Sequence, residues 1–223
     1  MIQSTINEIS FNNLQIKHIC KPKLKNSYIS VSKSGEITLK TSRVSNKYIH
    51  ELLTQKDLWI RKQLLHVKQN PPFKMNLEDE VLLFGEVYSV DIDEAKELRE
   101  YLAKVKIPNE RNILKCYDIF YKSYANKYLI PRVEYFSNIM NLNYSEIKFR
   151  KMKSRWGSCS SKGVITLNTQ LIKIDKELID YIIVHELAHL THMNHSKKFH
   201  NLVESYISNH KELNQRLKAI YLL

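Results

Sequence analysis

The sequence predicts an α+β protein of 223 residues. Polar and apolar residues alternate on both sides of a glycine turn at residue 35, which is typical of a β-hairpin. Apolar residues then recur at helical spacing as far as Val67, and the last third of the chain has the pattern of successive helices. We therefore expect a hairpin-rich N-terminal region with one helix at residues 1–107 and a catalytic region at residues 108–223.

The first hairpin and the first helix have clear local signals. Residues 28–33 and 36–41 alternate around the turn at Gly35. Ser45 is a suitable N-cap for the helix that follows, because its hydroxyl group can accept a hydrogen bond from a free backbone N–H group. The helix should end before Pro71, since proline lacks the N–H group that an interior helical position needs.

A second hairpin is expected at residues 81–84 and 87–92, with its turn at Gly85 and the residue after it. A helix should begin near Glu110, and Pro131 should kink or split it. One face of this helix carries Ile113, Tyr117, Phe120, Tyr121, Tyr124 and Tyr128. We interpret this aromatic stripe as core and not as a cofactor site.

The remaining elements lie in the C-terminal half. Strands are expected at residues 147–152 and 164–169, joined by a loop that contains serine and glycine. Helices are expected at about residues 176–192, 197–208 and 211–221. Two strands therefore come directly before the helical part of the chain.

The chain has the composition of a soluble globular protein with a strong positive charge. Lysine and arginine number 35 against 23 acidic residues, a net charge of +12. Such a charge attracts polyanions, so nucleic acid is one expected partner; the simpler interpretation is only a basic, soluble protein. We expect no membrane contact, because no apolar run reaches about 18 residues and no signal peptide is recognised. Cys20, Cys116 and Cys159 are scattered, which fits free thiols in the cytoplasm.

His185, Glu186 and His189 form an HExxH motif on a predicted helix. Residues four positions apart lie on the same helix face, so both imidazoles can bind one metal ion. Glu186 is rotated by one residue step and lies beside the ion. There it can take a proton from a metal-bound water and return it to the leaving group. The motif predicts a hydrolase with Glu186 as the catalytic base.

The surroundings of the motif favour a metal site over a group of structural histidines. The helix is apolar almost all round, which predicts burial, and unpaired buried polar groups are costly. Five of the nine histidines also lie between His185 and His200. We predict one zinc ion, with other divalent metals as alternatives to zinc.

A catalytic zinc ion needs a third protein ligand, for which His192, His195 and His200 are the candidates. Three ligands on one straight helix cannot surround an ion, so the third should follow a turn. The chain can leave the helix at Asn194, since asparagine tolerates the left-handed conformation, and Ser196 can cap the next helix. His195 lies at that corner and is our first choice, followed by His200 and then His192.

The stretch from Arg150 to Phe199 resembles the YgjP-like metallopeptidase family of bacterial proteins, also described as predicted metal-dependent hydrolases. The resemblance rests on the blocks R-K-M-K-S-R-W-G-S-C-S-S-K-G-V-I-T-L-N, D-Y-I-I-V-H-E-L-A-H-L and N-H-S-K-K-F. The N-terminal half is similar to the family more loosely. The resemblance implies a zincin-like catalytic core and a metal site at His185, His189 and His195. The chain differs from the family at His200, where the family usually has tryptophan.

The segment at residues 145–162, here called the basic loop, contains six basic residues and one acidic residue. The basic residues are Lys148, Arg150, Lys151, Lys153, Arg155 and Lys162. We expect either an anion-binding surface, with Lys153, Arg155 and Trp156 as substrate-binding candidates, or a solvated edge. In zincins a strand beside the motif helix lines the cleft, and residues 164–169 are the candidate strand. An exposed strand edge can pair with an extended peptide.

Three functions are compatible with these features. The first is a zinc metallopeptidase, which the resemblance favours. The second is a metal-dependent phosphohydrolase acting on nucleotides or phosphate esters, which the basic loop would suit. The third is a nucleic-acid-binding protein with a structural zinc ion. Glu186 argues against the third, because a closed structural site has four ligands and needs no base.

Overall fold

Helices and strands occur together in both units of the chain, Met1–Phe73 and Lys74–Leu223. The structure is a computed structural model that describes residues 5–32, 34–69, 76, 77 and 79–220. The α+β class predicted from the sequence is confirmed. The functional boundary after residue 107 stays a prediction.

The first unit is a four-stranded sheet followed by one helix. Its elements are β1 (Thr5–Phe11), β2 (Leu14–Cys20), β3 (Tyr28–Val31), β4 (Ile37–Thr41) and α1 (Asn46–Gln69). The strand order is β1-β2-β4-β3, with β2 parallel to β4 and the other pairs antiparallel. The predicted hairpin of β3 and β4 is confirmed, as is the N-cap at Ser45, whose Oγ accepts a hydrogen bond from the backbone N of Tyr48 (3.2 Å).

The hairpin of β1 and β2 was not predicted. Its turn is formed by Asn12 and Asn13, both with positive φ (44° and 63°), instead of by glycine. Asparagine tolerates the left-handed conformation, but an Asn-Asn pair is a weaker turn signal than a pair with glycine.

The second unit begins with the second predicted hairpin, which is confirmed as β5 (Glu80–Leu83) and β6 (Glu86–Ser89). A short 3₁₀ helix at Asp93–Ala95 then leads into α2 (Lys96–Ala103), which was not predicted, and α3 (Glu110–Met140) follows. The hairpin is tied to the segment before the motif helix, because the backbone N of Phe84 donates a hydrogen bond to the carbonyl oxygen of Ile172 (2.8 Å).

Helix α3 provides much of the core of the second unit. The aromatic stripe is core as predicted, since Tyr117, Phe120 and Tyr121 are buried and the other three members pack against the same cluster. Of the predicted kink or split at Pro131, the split is wrong, because α3 continues through this residue, and the kink stays a prediction. A proline removes one backbone hydrogen bond, and the buried side chains of Leu129 and Val133 hold the helix on either side.

Three strands form the sheet next to the motif helix: β7 (Glu146–Arg150), β8 (Gly157–Cys159) and β9 (Val164–Asn168). The order is β7-β9-β8, with β7 parallel and β8 antiparallel to β9. The two predicted strands are confirmed, but the expectation that residues 164–169 offer a free edge is wrong. Strand β9 is central and paired on both sides, so the strand that lies at the edge beside the motif helix is β8.

The chain ends with α4 (Lys176–Ala188), α5 (Lys197–Tyr206) and α6 (His210–Ala219). Helix α4 is fixed against α3 by Arg132, which donates from Nε and Nη2 to both carboxylate oxygens of Asp180 (2.6 Å each). Such bidentate pairs set orientation as well as distance. Within the described ranges, no helix combines the length and apolar character needed to cross a membrane.

Candidate metal centre

Three histidines converge where α4 ends. His185 lies in its last turn, and His189 follows as the C-cap with helical dihedral angles (φ −66°, ψ −17°). Their ring centroids are 5.0 Å apart. His195 comes from the connection to α5, with its ring centroid 5.0 Å from that of His185 and 4.8 Å from that of His189. Ligand nitrogens of the three rings all lie within 4.8 Å of one another.

The nitrogen atoms of these rings suit a zinc-type ion. The Nε2 atoms of His185 and His195 are 3.1 Å apart. Two nitrogen ligands of a tetrahedral zinc ion, at 2.0–2.1 Å from it, are about 3.3 Å apart. His189 Nδ1 lies 3.0 Å from the carbonyl oxygen of His192. A carbonyl group only accepts, so Nδ1 carries the proton and Nε2 keeps its lone pair for a metal.

The connection between α4 and α5 differs from the prediction. The helix ends at Ala188 and not at His192, and the next residues continue in turns, in which the N–H groups of both Thr191 and His192 donate to the carbonyl group of Ala188. These bonds give a carbonyl group at the helix end hydrogen-bond partners without a residue in the left-handed conformation. Asn194, the expected left-handed residue, has no positive φ. The predicted cap is confirmed, because Ser196 Oγ accepts a hydrogen bond from the backbone N of Phe199 (3.4 Å).

Phe199 is a residue of the site that the sequence analysis did not identify. Its side chain is 1% exposed, and its ring centroid lies 4.9, 4.6 and 4.9 Å from those of His185, His189 and His195. One aromatic ring thus packs against all three imidazoles and restricts their rotation. Its position four residues after His195 gave no signal of this role.

Glu186 lies beside the three histidines and is 6% exposed. Burial raises the pKa of its carboxyl group to about 8, and the positive charge of Arg155 opposes this shift. The side chain lies against the backbone of Gly157 on β8. The carboxyl group is therefore held in a largely dry position between α4 and the edge strand.

The imidazoles of His185 and His195 are in an environment that favours their neutral form. Burial, followed by the neighbouring imidazoles, lowers the pKa of His185 to about 3. The pKa of His195 is lowered by the same causes. Metal binding requires neutral imidazole, so this environment favours the ligand form near neutral pH.

A cavity of about 370 Å³ opens over these residues. It is lined by Trp156, Gly157, Tyr181, Ile182, His185, Glu186, His195, His200, Asn214 and Leu217. Helix α6 provides one wall and is fixed to the start of α4 by Arg216, which donates to the carboxylates of Asp175 (2.5 Å) and Glu177 (2.8 Å). The walls of the cavity therefore come from β8, α4, α5 and α6.

Two of the basic residues in the basic loop form ion pairs. Its pairs join Lys148 to Glu146 (2.8 Å) and Lys151 to Asp118 (2.5 Å). Lys153 and Arg155 are exposed, and neither forms an ion pair with another residue described in the structure. Trp156 is buried and serves both the core and the cavity wall. Of the three substrate-binding candidates, Trp156 lines the cavity and Arg155 interacts electrostatically with Glu186.

Asn168 fixes the path of the basic loop, a role that the sequence analysis missed. It is fully buried, and its Nδ2 donates to the carbonyl oxygens of Met152 and Arg155 (2.9 Å each). Its Oδ1 accepts from the backbone N of Met152 (3.3 Å) and of Gln170 (3.1 Å). One amide group thus joins the loop to the end of β9.

Relatives are found among archaeal proteins. An uncharacterized protein of Methanocaldococcus jannaschii is 36% identical over 86 residues, covering 36% of this chain and 78% of the relative. The crystal structure of the metallopeptidase zymogen of Pyrococcus abyssi abylysin is 29% identical, with a TM-score of 0.36, over 39% of this chain and 89% of that one. The metallopeptidase zymogen of M. jannaschii jannalysin is 30% identical, with a TM-score of 0.36, over 39% of this chain and 90% of that one.

A family model covers nearly the whole chain. It is described as YgjP-like, metallopeptidase domain, and it matches residues 25–220. The match extends over most of the first unit and through the last helix, including the histidine cluster, β8 and α6. The chain therefore belongs to the YgjP-like metallopeptidase domain family.

Proposed function

We propose that the protein is a zinc-dependent metallopeptidase. In this proposal His185, His189 and His195 hold one ion, and Glu186 is the general base. The observation that carries it is the convergence of three imidazoles next to a buried carboxyl group. Two of these imidazoles, those of His185 and His195, line one cavity together with Glu186. Three protein ligands with an adjacent acid are typical of a catalytic zinc site, whereas a structural site has four ligands.

The ion, when bound, supplies Lewis-acid chemistry that makes water a nucleophile near neutral pH. Glu186 moves the protons of the reaction: a carboxylate oxygen takes one from the attacking water and passes it to the departing amine nitrogen. Its location against Gly157 limits where the carboxyl group can be. Arg155 favours the ionised form, which is the form that can accept a proton.

The edge strand β8 supports a peptide as the substrate. Trp156, directly before β8, is hydrogen-bonded to the central strand β9, since its carbonyl oxygen accepts a hydrogen bond from the backbone N of Asn168 (2.8 Å). Backbone groups alternate in direction along a strand, so those of Gly157 and Cys159 point away from β9. Gly157 lies against Glu186. An extended peptide that pairs with β8 would therefore pass the proposed base.

The phosphohydrolase alternative has weaker support. It depends on the positive charge of the basic loop, and two of the six basic residues are paired with carboxylates. A nucleic-acid-binding protein with a structural zinc ion would leave a buried acid beside the ion unexplained. The peptidase accounts for both the acid and the edge strand.

The test is hydrolysis of a mixed peptide library by zinc-loaded protein, analysed by mass spectrometry, with nucleotides tested in parallel. Glu186→Gln should retain the metal and lose activity by about 10²–10⁴-fold, because it removes only the base. Glu100→Gln is the matched control, since it makes the same chemical change at an exposed site on α2. Peptide cleavage that is unchanged in Glu186→Gln would overturn the proposal, as would cleavage of nucleotides alone.

A further inference from the structure

His200 is a fourth histidine beside the candidate metal centre. It lies on α5, is exposed, and lines the cavity together with His185 and Glu186. Its ring centroid is 6.3 Å from that of His195. The three clustered histidines are closer, with ring centroids 4.8–5.0 Å apart. His200 is thus outside the group whose nitrogens meet within 4.8 Å, but it faces the same space.

Aromatic contacts fix the orientation of the His200 ring. It packs edge-on against Phe199, with centroids 5.4 Å apart and an interplanar angle of 88°. It stacks on His210 at the start of α6, with centroids 6.0 Å apart and an angle of 27°. An exposed side chain held from two sides loses less conformational entropy when it binds a ligand than a free one would.

His210, the inner member of the stack, is 3% exposed, and neither of its ring nitrogens has a hydrogen-bond partner among the residues that the structure describes. Buried polar groups without partners are rare and costly, so a ring at this position needs a reason. Its contact with His200 accounts for a flat ring at this position, because such a ring supports the exposed ring in one plane.

We infer that His200 donates a hydrogen bond to the bound peptide and that His210 is a positioning residue behind it. The inference rests on the proposed peptidase function. Imidazole has an N–H donor in each of its protonation states, and a peptide strand offers carbonyl groups as acceptors. Gly157 of β8 and His200 line the same cavity, so a peptide paired with β8 would enter the space that His200 faces. His200 would then contact the substrate without being a metal ligand.

The test compares two variants of His200. His200→Phe keeps a flat ring for the contacts with Phe199 and His210 but has no donor. His200→Gln keeps an N–H donor without the ring. Zinc affinity is measured by competition with a chromophoric chelator, and peptide affinity by calorimetry in a Glu186→Gln background, with the best-cleaved library peptide as the probe. This second measurement does not depend on turnover.

We expect unchanged zinc affinity in both variants. Peptide affinity should fall about three- to tenfold in His200→Phe, the usual effect of one lost hydrogen bond, and recover partly in His200→Gln. His210→Phe should bind peptide normally, because it preserves the stack, whereas His210→Leu should reproduce part of the loss at unchanged zinc affinity. Circular dichroism identifies any variant that fails to fold.

Two results would overturn the inference while the peptidase proposal stands. One is a loss of zinc from His200→Phe, which would make His200 a metal ligand. The other is wild-type peptide affinity in that variant. If the unmodified protein neither binds nor cleaves any peptide, the proposed function fails, and this inference fails with it.

Discussion

Gly157 leaves room for the carboxyl group of Glu186. A Cβ atom at Gly157 would lie 2.5 Å from Oε1 and 2.7 Å from Cγ of that side chain, closer than non-bonded atoms approach. Glu186 is buried, so it has little space into which to retreat. The glycine is required here for its size, since its φ is not among the positive values.

Gly157→Ala should therefore displace the proposed base. We expect kcat for peptide hydrolysis to fall about 10²-fold, because small misplacements of catalytic groups have effects of that order. The free energy of unfolding should fall by about 1–3 kcal/mol, the usual effect of overpacking. Zinc content should not change. Ser158→Ala on the same strand is the control, and normal turnover in Gly157→Ala would contradict this account of the glycine.

The proposed ligands should differ in their effect on metal binding. Purified protein should contain about one zinc ion per chain, and His185→Ala or His189→Ala should abolish binding. His195→Ala should weaken it strongly, since two imidazoles leave the ion under-coordinated. Metal content is measured by mass spectrometry after dialysis, with His192→Ala as the control. If His195→Ala binds zinc normally, another residue provides the third ligand.

The parts of the site that follow from local sequence were predictable. His185 and His189 fall on one face because helical periodicity demands it, and Ser196 caps α5 because its hydroxyl meets a free N–H group. Phe199 and Gly157 were missed for a different reason. Their roles come from contacts made only after the chain folds, and neither a phenylalanine nor a glycine marks such contacts in the sequence.

Strand β8 illustrates the same limit for the fold. It has only three residues, too few to show an alternating pattern, and it exists because β9 offers it hydrogen bonds. The end of α4 was misjudged because turn hydrogen bonds at Ala188 replaced the expected left-handed residue.

Metal-free protein should become less stable as the pH rises from about 6.5 to about 8. Burial raises the pKa of Glu186 from 4.5 to about 8, so in this range the folded state holds a proton that the unfolded state has lost. The contribution is complete below the unfolded pKa and is lost as the pH passes the folded one. His185, with its lowered pKa, acts in the opposite direction, but only below about pH 6.5.

This dependence is measured by urea unfolding of chelator-treated protein at several pH values. Glu186→Gln has no titrating group at this position, so its free energy of unfolding should change less over the same range. Glu100→Gln should behave like the unmodified protein. Parallel pH profiles for Glu186→Gln and the unmodified protein would show that the carboxyl group is ionised in the folded state.

If the substrate is anionic, the basic loop should speed its encounter with the protein and strengthen its binding. Lys153→Gln, Arg155→Gln and Lys162→Gln should raise KM more than they lower kcat. The effect should shrink with salt, because the Debye length falls from about 10 Å at 0.1 M to about 3 Å at 1 M. A loss of kcat at Arg155 alone would instead indicate that its charge acts on the proposed base, Glu186, or on the reacting groups themselves.

Matched controls for this experiment are Lys148→Gln and Lys151→Gln, since these two lysines already have acidic partners. They should change KM less than the first three variants do. If none of the five variants differs from the unmodified protein with neutral or anionic substrates, the loop is a solvated edge.

Asn168→Asp should loosen the basic loop. The change removes the two N–H bonds to the carbonyl groups of Met152 and Arg155 and places a carboxylate oxygen near them. We expect the free energy of unfolding to fall by about 1–3 kcal/mol. Asn143→Asp, at an exposed position, makes the same change in charge and should have little effect. Equal unfolding curves for the two variants would contradict the role given to Asn168.

The hydrogen bonds of Asn168 fix the backbone path of the basic loop and do not involve the side chains that the loop exposes. The loop is held through its backbone, at Met152 and Arg155, by a side chain that belongs to another strand. Lys153 and Ser154 lie between these anchors and are exposed. Changes at these two positions should therefore alter the surface of the loop without altering the course of the chain beside the proposed metal centre.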